Sequence, residues 1–178
     1  MTEVASESAW SEVWGATISR TVTWYDPLPT AAAAGAMSGL AFLTGMRDGS
    51  CPPAPIASLL GLRLIDVEPG RVVFTYEPDT SVYNPIGMVH GGIVCTLADT
   101  VIGCAVQSTL EVGVAYTSID LQVTFLRPLT VTSGPVLATG TLVKSGRRVA
   151  FGRAQIVDGE GKLIAEATGS CLVMNGRP

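Results

Sequence analysis

A single carboxylate, Asp99, stands within the apolar run TLADTVI. No lysine or arginine lies between Gly87 and Arg127, so no basic residue nearby in sequence can pair with it. A carboxylate in such a run is desolvated, hydrogen-bonded or functional. Desolvation raises the pKa of a carboxyl group, which favours a general base near neutral pH. The alternative is a carboxylate at an exposed helix edge or bonded to a nearby hydroxyl such as that of Thr96.

A second chemical feature is the tripeptide His90-Gly91-Gly92 at the start of the same run. Glycines at a helix start leave backbone N–H groups uncovered, and these groups, with the helix dipole, stabilise negative charge. The tripeptide therefore predicts an oxyanion hole for acyl transfer. A tight turn into the helix is the structural alternative.

The separation of these two features predicts a homodimer. Asp99 follows His90 by nine residues, or roughly 14 Å at about 1.5 Å per residue of helix. Reacting groups must converge within about 3 Å of one centre, which a single helix does not allow. Two antiparallel helices from two subunits bring them together in two equivalent sites across a two-fold axis.

The elements that hold these groups form an α+β pattern. The run from His90 to Leu110 has apolar residues on all faces, which predicts a long helix packed on nearly every side. Alternating, β-branched segments separated by Gly-containing turns surround it and predict an antiparallel sheet. These segments are LRLIDV, RVVFTYEP, AYTSIDLQVTFLRP, VLATGTLVK, RVAFGRAQIVD and KLIAEATGSCLVM. One helix wrapped by an antiparallel sheet is the predicted architecture.

The amino-terminal zone differs from the rest. Residues 1–36 are weakly patterned, hold all three tryptophans and lead into the stretch TAAAAGAM, which ends at Met37. This pattern predicts an extension that is partly disordered or docked through its tryptophans. Residues 37–178 form the predicted domain, which opens with a short helix from Ser38 to Arg47.

Composition excludes several classes of protein. A net charge of −4 and a pI near 4.9 argue against nucleic-acid binding. The apolar run contains His90, Asp99 and Gln107, which disfavours a membrane span. The start of the chain does not resemble a signal peptide, so we expect a cytoplasmic protein. One histidine and four unpatterned cysteines predict neither a metal site nor a cofactor.

The run YNPIGMVHGGIVCTLADTVIGCAVQSTL, followed by YTSIDLQVTFLRPL, resembles the hotdog-fold acyl-CoA thioesterases of the PaaI-like group. The resemblance extends from about Ile56 to Met174 and leaves out the amino-terminal zone. It implies a hotdog fold and a metal-free hydrolase that cleaves an acyl-CoA. Tetramers are usual in that family.

The resemblance also assigns roles to residues. Asp99 matches the family carboxylate, a general base or a nucleophile, and Gly91 or Gly92 supplies the N–H that polarises the thioester carbonyl. Asn84 lies where the family places an asparagine near the reacting centre, and His90 helps to shape the site. An Asn-Pro dipeptide and a histidine at a helix start also have purely structural explanations.

Ser118 matches a strand hydroxyl that positions water in the family. Strand alternation contradicts this match, because it places Thr117 with the apolar Ile119 and Leu121, and Ser118 on the opposite face. Either the strand is irregular, or Thr117 takes the role.

Arg147 and Arg148, in the turn SGRR, are candidates for binding CoA phosphates through charge-assisted hydrogen bonds. A solvated turn explains them equally well. Arg127 is a weaker candidate.

Two other functions compete with hydrolysis. The same fold without catalysis would be an acyl-CoA-binding or regulatory module. A hotdog hydratase usually has its histidine a few residues from the aspartate, whereas His90 precedes Asp99 by nine residues, so hydration ranks lowest.

Overall fold

The structure, a computed structural model, describes residues 7–175. Its helices are α1 (Glu7–Trp14), α2 (Pro27–Gly35), α3 (Gly39–Asp48), α4 (Pro55–Leu60) and α5 (Gly91–Gln107). Its strands are β1 (Arg63–Glu68), β2 (Arg71–Tyr76), β3 (Val114–Phe125), β4 (Val136–Lys144), β5 (Val149–Val157) and β6 (Leu163–Asn175). Within these residues, no helix has both the length and the apolar character needed to cross a membrane.

The six strands form one antiparallel sheet in the order β1-β2-β4-β5-β6-β3. The predicted turns join β1 to β2, β4 to β5 and β5 to β6, and Gly70 in the first turn has a positive φ of 79° that favours glycine. β3 and β1 are the two edges of the sheet. The predicted α+β architecture is confirmed.

The long helix α5 packs against the sheet through residues three or four apart, as its sequence predicts. Val94, Leu97, Val101 and Ala105 are buried on this side. The helix approaches β4 so closely that a Cβ at Gly140 would lie 2.0 Å from the Val101 carbonyl oxygen. This contact fixes the depth of the helix over the sheet.

The opposite side of α5 is open. Gly92 and Asp99 are exposed, and Cys95 and Thr96 are half-buried. The prediction of a helix packed on nearly every side is therefore wrong for the single chain. The open side lies next to the unpaired edge of β3.

The amino-terminal residues contain two helices that the sequence did not predict. The alanines of α2 favour a helix, and Asp26 caps it by accepting the Leu28 N–H at 2.9 Å. Arg20 ties the segment to the domain through Asp79 at 2.5 Å and the Leu59 carbonyl at 2.6 Å. The tryptophans, for which docking was one of two alternatives, are 53–80% exposed in the chain.

Candidate active site

Asp99 is hydrogen-bonded to a strand hydroxyl. The Ser118 Oγ donates to Asp99 Oδ1 over 2.6 Å, across the gap between α5 and β3. Thr96 is not the partner, because its hydroxyl donates to the Gly92 carbonyl at 3.0 Å. The second carboxylate oxygen of Asp99 has no protein partner among residues 7–175, and it lies on the open side of the helix.

A β-bulge in β3 explains why Ser118 makes this contact. The pairing with β6 shifts between Ser118 and Asp120, so Ile119 is the extra residue. The bulge exchanges the two faces of the strand at that point. The helix-facing side chains are therefore Tyr116 and Ser118 before it, and Leu121, Val123 and Phe125 after it. Simple alternation fails here because it assumes an unbroken strand.

We expect Ser118→Ala to lower kcat about ten- to a hundredfold, since a hydrogen bond to a charged group contributes ~1.5–3 kcal/mol. Thr117→Ala, one residue away on the other face, is the matched control and should change kcat less than about twofold. Steady-state thiol release from an acyl-CoA measures both. A larger loss for Thr117→Ala would reverse the assignment.

The two thiols and the phenol that lie behind Asp99, those of Cys104, Cys171 and Tyr116, are un-ionised. Burial raises the pKa of the Cys104 thiol to about 12, and the negative charge of Asp99 adds to the rise. Burial likewise raises the pKa of Tyr116 far above its usual value and raises that of Cys171. Thiols act as nucleophiles in their thiolate form, so Cys104 and Cys171 are poor candidates for attack on a substrate.

The start of α5 leaves one backbone donor free. His90 caps the helix, because its Nδ1 accepts the Gly92 N–H at 2.9 Å and its carbonyl accepts the Ile93 N–H at 2.9 Å. The Gly91 N–H has no partner among the described residues. Of the two glycines that the sequence offered, Gly91 is therefore the one with an available N–H.

The role of His90 follows from the same contact. The Nδ1 of His90 is occupied by the Gly92 backbone N–H. A nitrogen occupied in this way is not free to act as a base. The geometry makes His90 a helix cap that holds the glycine turn in place.

Asn84 lies at the mouth of this helix start. Its Oδ1 accepts the Ile86 N–H at 3.1 Å and the Met88 N–H at 3.3 Å, which closes the preceding loop. Its Nδ2 has no partner within the part of the chain that the structure describes. Asn84 and Gly91 border a common groove of about 460 Å³, which is also lined by Met88, Val89, Val94, Phe125, Leu126, Arg127, Pro128 and Leu129.

The predicted site residues thus form two groups within one chain. Asp99 and Ser118 form the first, and Gly91, His90 and Asn84 form the second. Asp99 follows Gly91 by eight positions, or about 12 Å along the helix. The groups cannot act on one carbonyl within the chain.

The two arginines of the β4–β5 turn lie nearer the first group. Val149 pairs with Leu172, the neighbour of Cys171, and Cys171 pairs with Ser118. The turn is therefore two strands from Ser118, or about 10 Å. Arg147 and Arg148 are exposed and form no ion pair within residues 7–175. Arg127 instead donates to the Leu163 carbonyl at 2.9 Å.

Comparison with known proteins identifies the family. A sequence model of the Thioesterase superfamily matches residues 86–165. Human acyl-coenzyme A thioesterase 13 is 30% identical over 106 residues, which cover 59% of this chain and 74% of that protein.

Two solved structures have the same fold. A phenylacetic acid degradation-related protein from Ralstonia eutropha is 30% identical with a TM-score of 0.67, over 73% of this chain and 98% of that one. The phenylacetic acid degradation protein PaaI from Thermus thermophilus, crystallised as a mutant, is 29% identical with a TM-score of 0.61, over 67% and 98%.

The chain belongs to the thioesterase superfamily and has its hotdog fold. It is a thioester hydrolase of the PaaI-like group. The resemblance inferred from the HGG run and Asp99 is confirmed, and so is the enzyme class.

Proposed function

We propose that this protein is an acyl-CoA thioesterase that releases a free acid and CoA at a site shared by two subunits. The observation that carries the proposal is the pair of half-sites: a free N–H at Gly91 and a free carboxylate oxygen at Asp99, about 12 Å apart in one chain. In a dimer, the second subunit supplies the Asp99 carboxylate to the Gly91 half-site and the Gly91 N–H to the Asp99 half-site. The match to human acyl-coenzyme A thioesterase 13 supports the substrate class.

The surface around Asp99 suits a two-fold dimer. The open side of α5 and the unpaired edge of β3 adjoin each other at the Asp99–Ser118 hydrogen bond. A strand of twelve residues with one free edge is a ready surface for pairing with another chain. A partner on this side would exclude bulk water from the space between Asp99 and a bound substrate.

The reaction balances with these groups alone. The substrate carbonyl oxygen accepts the Gly91 N–H, and the positive end of the α5 dipole stabilises the oxyanion. Asp99 of the other subunit takes a proton from water as the new C–O bond forms. The C–S bond then breaks, and the proton passes from Asp99 to the CoA sulfur.

A direct attack by the Asp99 carboxylate is the second route through the same geometry. It forms a mixed anhydride and expels CoA, and water then cleaves the anhydride. An unlabelled first acid after a single turnover in ¹⁸O-labelled water identifies the anhydride route. The base route labels the first acid released, whereas anhydride cleavage at the Asp99 carbonyl leaves the first acid unlabelled.

Two positional assignments accompany the proposal. Residues 37–178 form the catalytic domain and residues 1–36 an extension outside it. In each shared site, Arg147 and Arg148 come from the same subunit as Asp99, and they would hold the CoA phosphates there.

The test is thiol release from a panel of aliphatic and aromatic acyl-CoAs. We expect saturable hydrolysis of at least one member without added metal. Stabilisation of the protein by acyl-CoA with no release of thiol from any member would replace hydrolysis with a binding function.

A further inference from the structure

Phe125 lies directly against the glycine that starts α5. A Cβ placed on Gly91 would lie 3.2 Å from the Phe125 Cζ and 3.3 Å from its Cε1. Gly91 does not have a positive φ, so its backbone conformation does not require glycine. A Cβ at Gly91 would instead press on the ring, which would have to move by a few tenths of an ångström. The aromatic ring thus lies beside Gly91, whose N–H has no partner among residues 7–175.

The ring is also accessible from the groove. Phe125 is 54% exposed although it faces α5 and not the outer side of the sheet. The other side chains around it are mostly aliphatic, and the guanidinium of Arg127 is held by the Leu163 carbonyl. A group attached to a carbonyl at the Gly91 N–H would therefore meet an apolar wall with an aromatic centre.

The bulge at Ile119 produces this placement. Without the extra residue, Phe125 would fall on the outer face of the sheet, and a polar neighbour such as Thr124 would face Gly91. One irregularity in β3 therefore directs Ser118 to Asp99 and Phe125 to Gly91. The two contacts belong to the two different half-sites of the chain.

We propose that Phe125 determines acyl-group selectivity: its exposed ring face holds the first carbons of an apolar acyl group beside the Gly91 N–H. The inference rests on the proposed thioesterase function and adds a specificity residue to it. The favoured substrates are acyl groups with an extended apolar chain. Acetyl has too little apolar surface to use the ring.

The experiment compares kcat/KM for octanoyl-CoA and acetyl-CoA. We expect the wild-type ratio to favour octanoyl, and Phe125→Ala to lower the ratio about tenfold or more, since removing a buried apolar contact changes transition-state binding by such factors. Phe125→Leu should have a smaller effect. The ratio is insensitive to partial unfolding, because the same intact sites hydrolyse both substrates.

Phe151 provides the matched control. It is an aromatic residue of similar exposure, 46%, on the outer face of β5. Phe151→Ala should leave the octanoyl-to-acetyl ratio at the wild-type value. Gly91→Ala should lower the octanoyl-to-acetyl ratio because the added Cβ displaces the Phe125 ring. A Cβ at Gly92, by contrast, would meet only the His90 ring.

The possible failures are distinguishable. If the wild-type protein hydrolyses neither substrate nor any other member of the acyl-CoA panel, the proposed function is overturned, and the role of Phe125 with it. If the wild type hydrolyses acyl-CoA but Phe125→Ala keeps the wild-type ratio, only the role of Phe125 is overturned. Equal changes of the octanoyl-to-acetyl ratio in Phe125→Ala and Phe151→Ala would also overturn the role of Phe125.

Discussion

Asp99→Asn should lower kcat for acyl-CoA hydrolysis by about a hundred- to ten-thousandfold, the range expected for loss of a general base. Asparagine has the same shape and can still accept the Ser118 hydroxyl through its Oδ1. It can neither take a proton from water nor attack the carbonyl. The loss should therefore fall on kcat, while CoA binding measured by calorimetry changes little.

Asp120→Asn is the matched control for this variant. Asp120 lies on the same strand as Ser118 but beyond the bulge, where it accepts a hydrogen bond from Ser170 on the outer face. The same chemical change there should leave kcat within about twofold of wild type. Wild-type kcat/KM in Asp99→Asn would refute both proposed routes, because each requires the carboxylate.

Much of this arrangement could be predicted from sequence because it depends on local patterns. The apolar spacing around Leu97 and Val101 predicts α5, and the Glu68-Pro69-Gly70 turn predicts the hairpin of β1 and β2. Asp99 was identifiable as a charge without a counter-ion in an apolar run. Each of these signals lies within a few residues of the feature that it predicts.

The remaining features depend on contacts between distant segments. The bulge at Ile119 is visible only when β3 is aligned with β6, so alternation alone left Thr117 and Ser118 unresolved. The choice between Gly91 and Gly92 required knowing which N–H the His90 side chain occupies. A single chain's sequence also does not show that one side of α5 is open.

Phe125 was missed for a related reason. It looked like an ordinary apolar strand residue in the run VTFLRP, and nothing local marks it as a neighbour of Gly91. A signal was available in retrospect: Gly91 has an ordinary helical conformation, so something must occupy the space that its side chain would take. Glycine in such a position indicates a close contact and not a turn.

The amino-terminal residues show the limit of composition as evidence. TAAAAGAM looked like low-complexity sequence, yet alanine is the best helix former, and the segment from Thr30 to Gly35 forms the larger part of α2 behind the Asp26 cap. The three tryptophans suggested docking, but they remain exposed in the single chain.

The shared site makes a second large prediction, which concerns mixed dimers. Gly91→Pro removes the free N–H and keeps the helix start, because proline suits the first helical position and His90 already has the extended conformation that precedes proline, with φ −61° and ψ 133°. Losing an oxyanion donor costs about a hundred- to a thousandfold in kcat. Gly91→Ala adds a comparable Cβ but retains the N–H, so the difference between the two variants isolates the hydrogen bond.

A dimer of one Asp99→Asn chain and one Gly91→Pro chain should be active, although each variant alone is nearly inactive. One of its two sites combines the Gly91 N–H of the first chain with Asp99 of the second, and both are intact. The other site combines both defects.

Heterodimers isolated through two different affinity tags should therefore show about half of the wild-type kcat per dimer. A pairing of Asp99→Asn with Asp99→Ala restores nothing and serves as the control. If the dimer of one Asp99→Asn chain and one Gly91→Pro chain is also inactive, each site lies within one chain. The distance between Gly91 and Asp99 must then be bridged in another way.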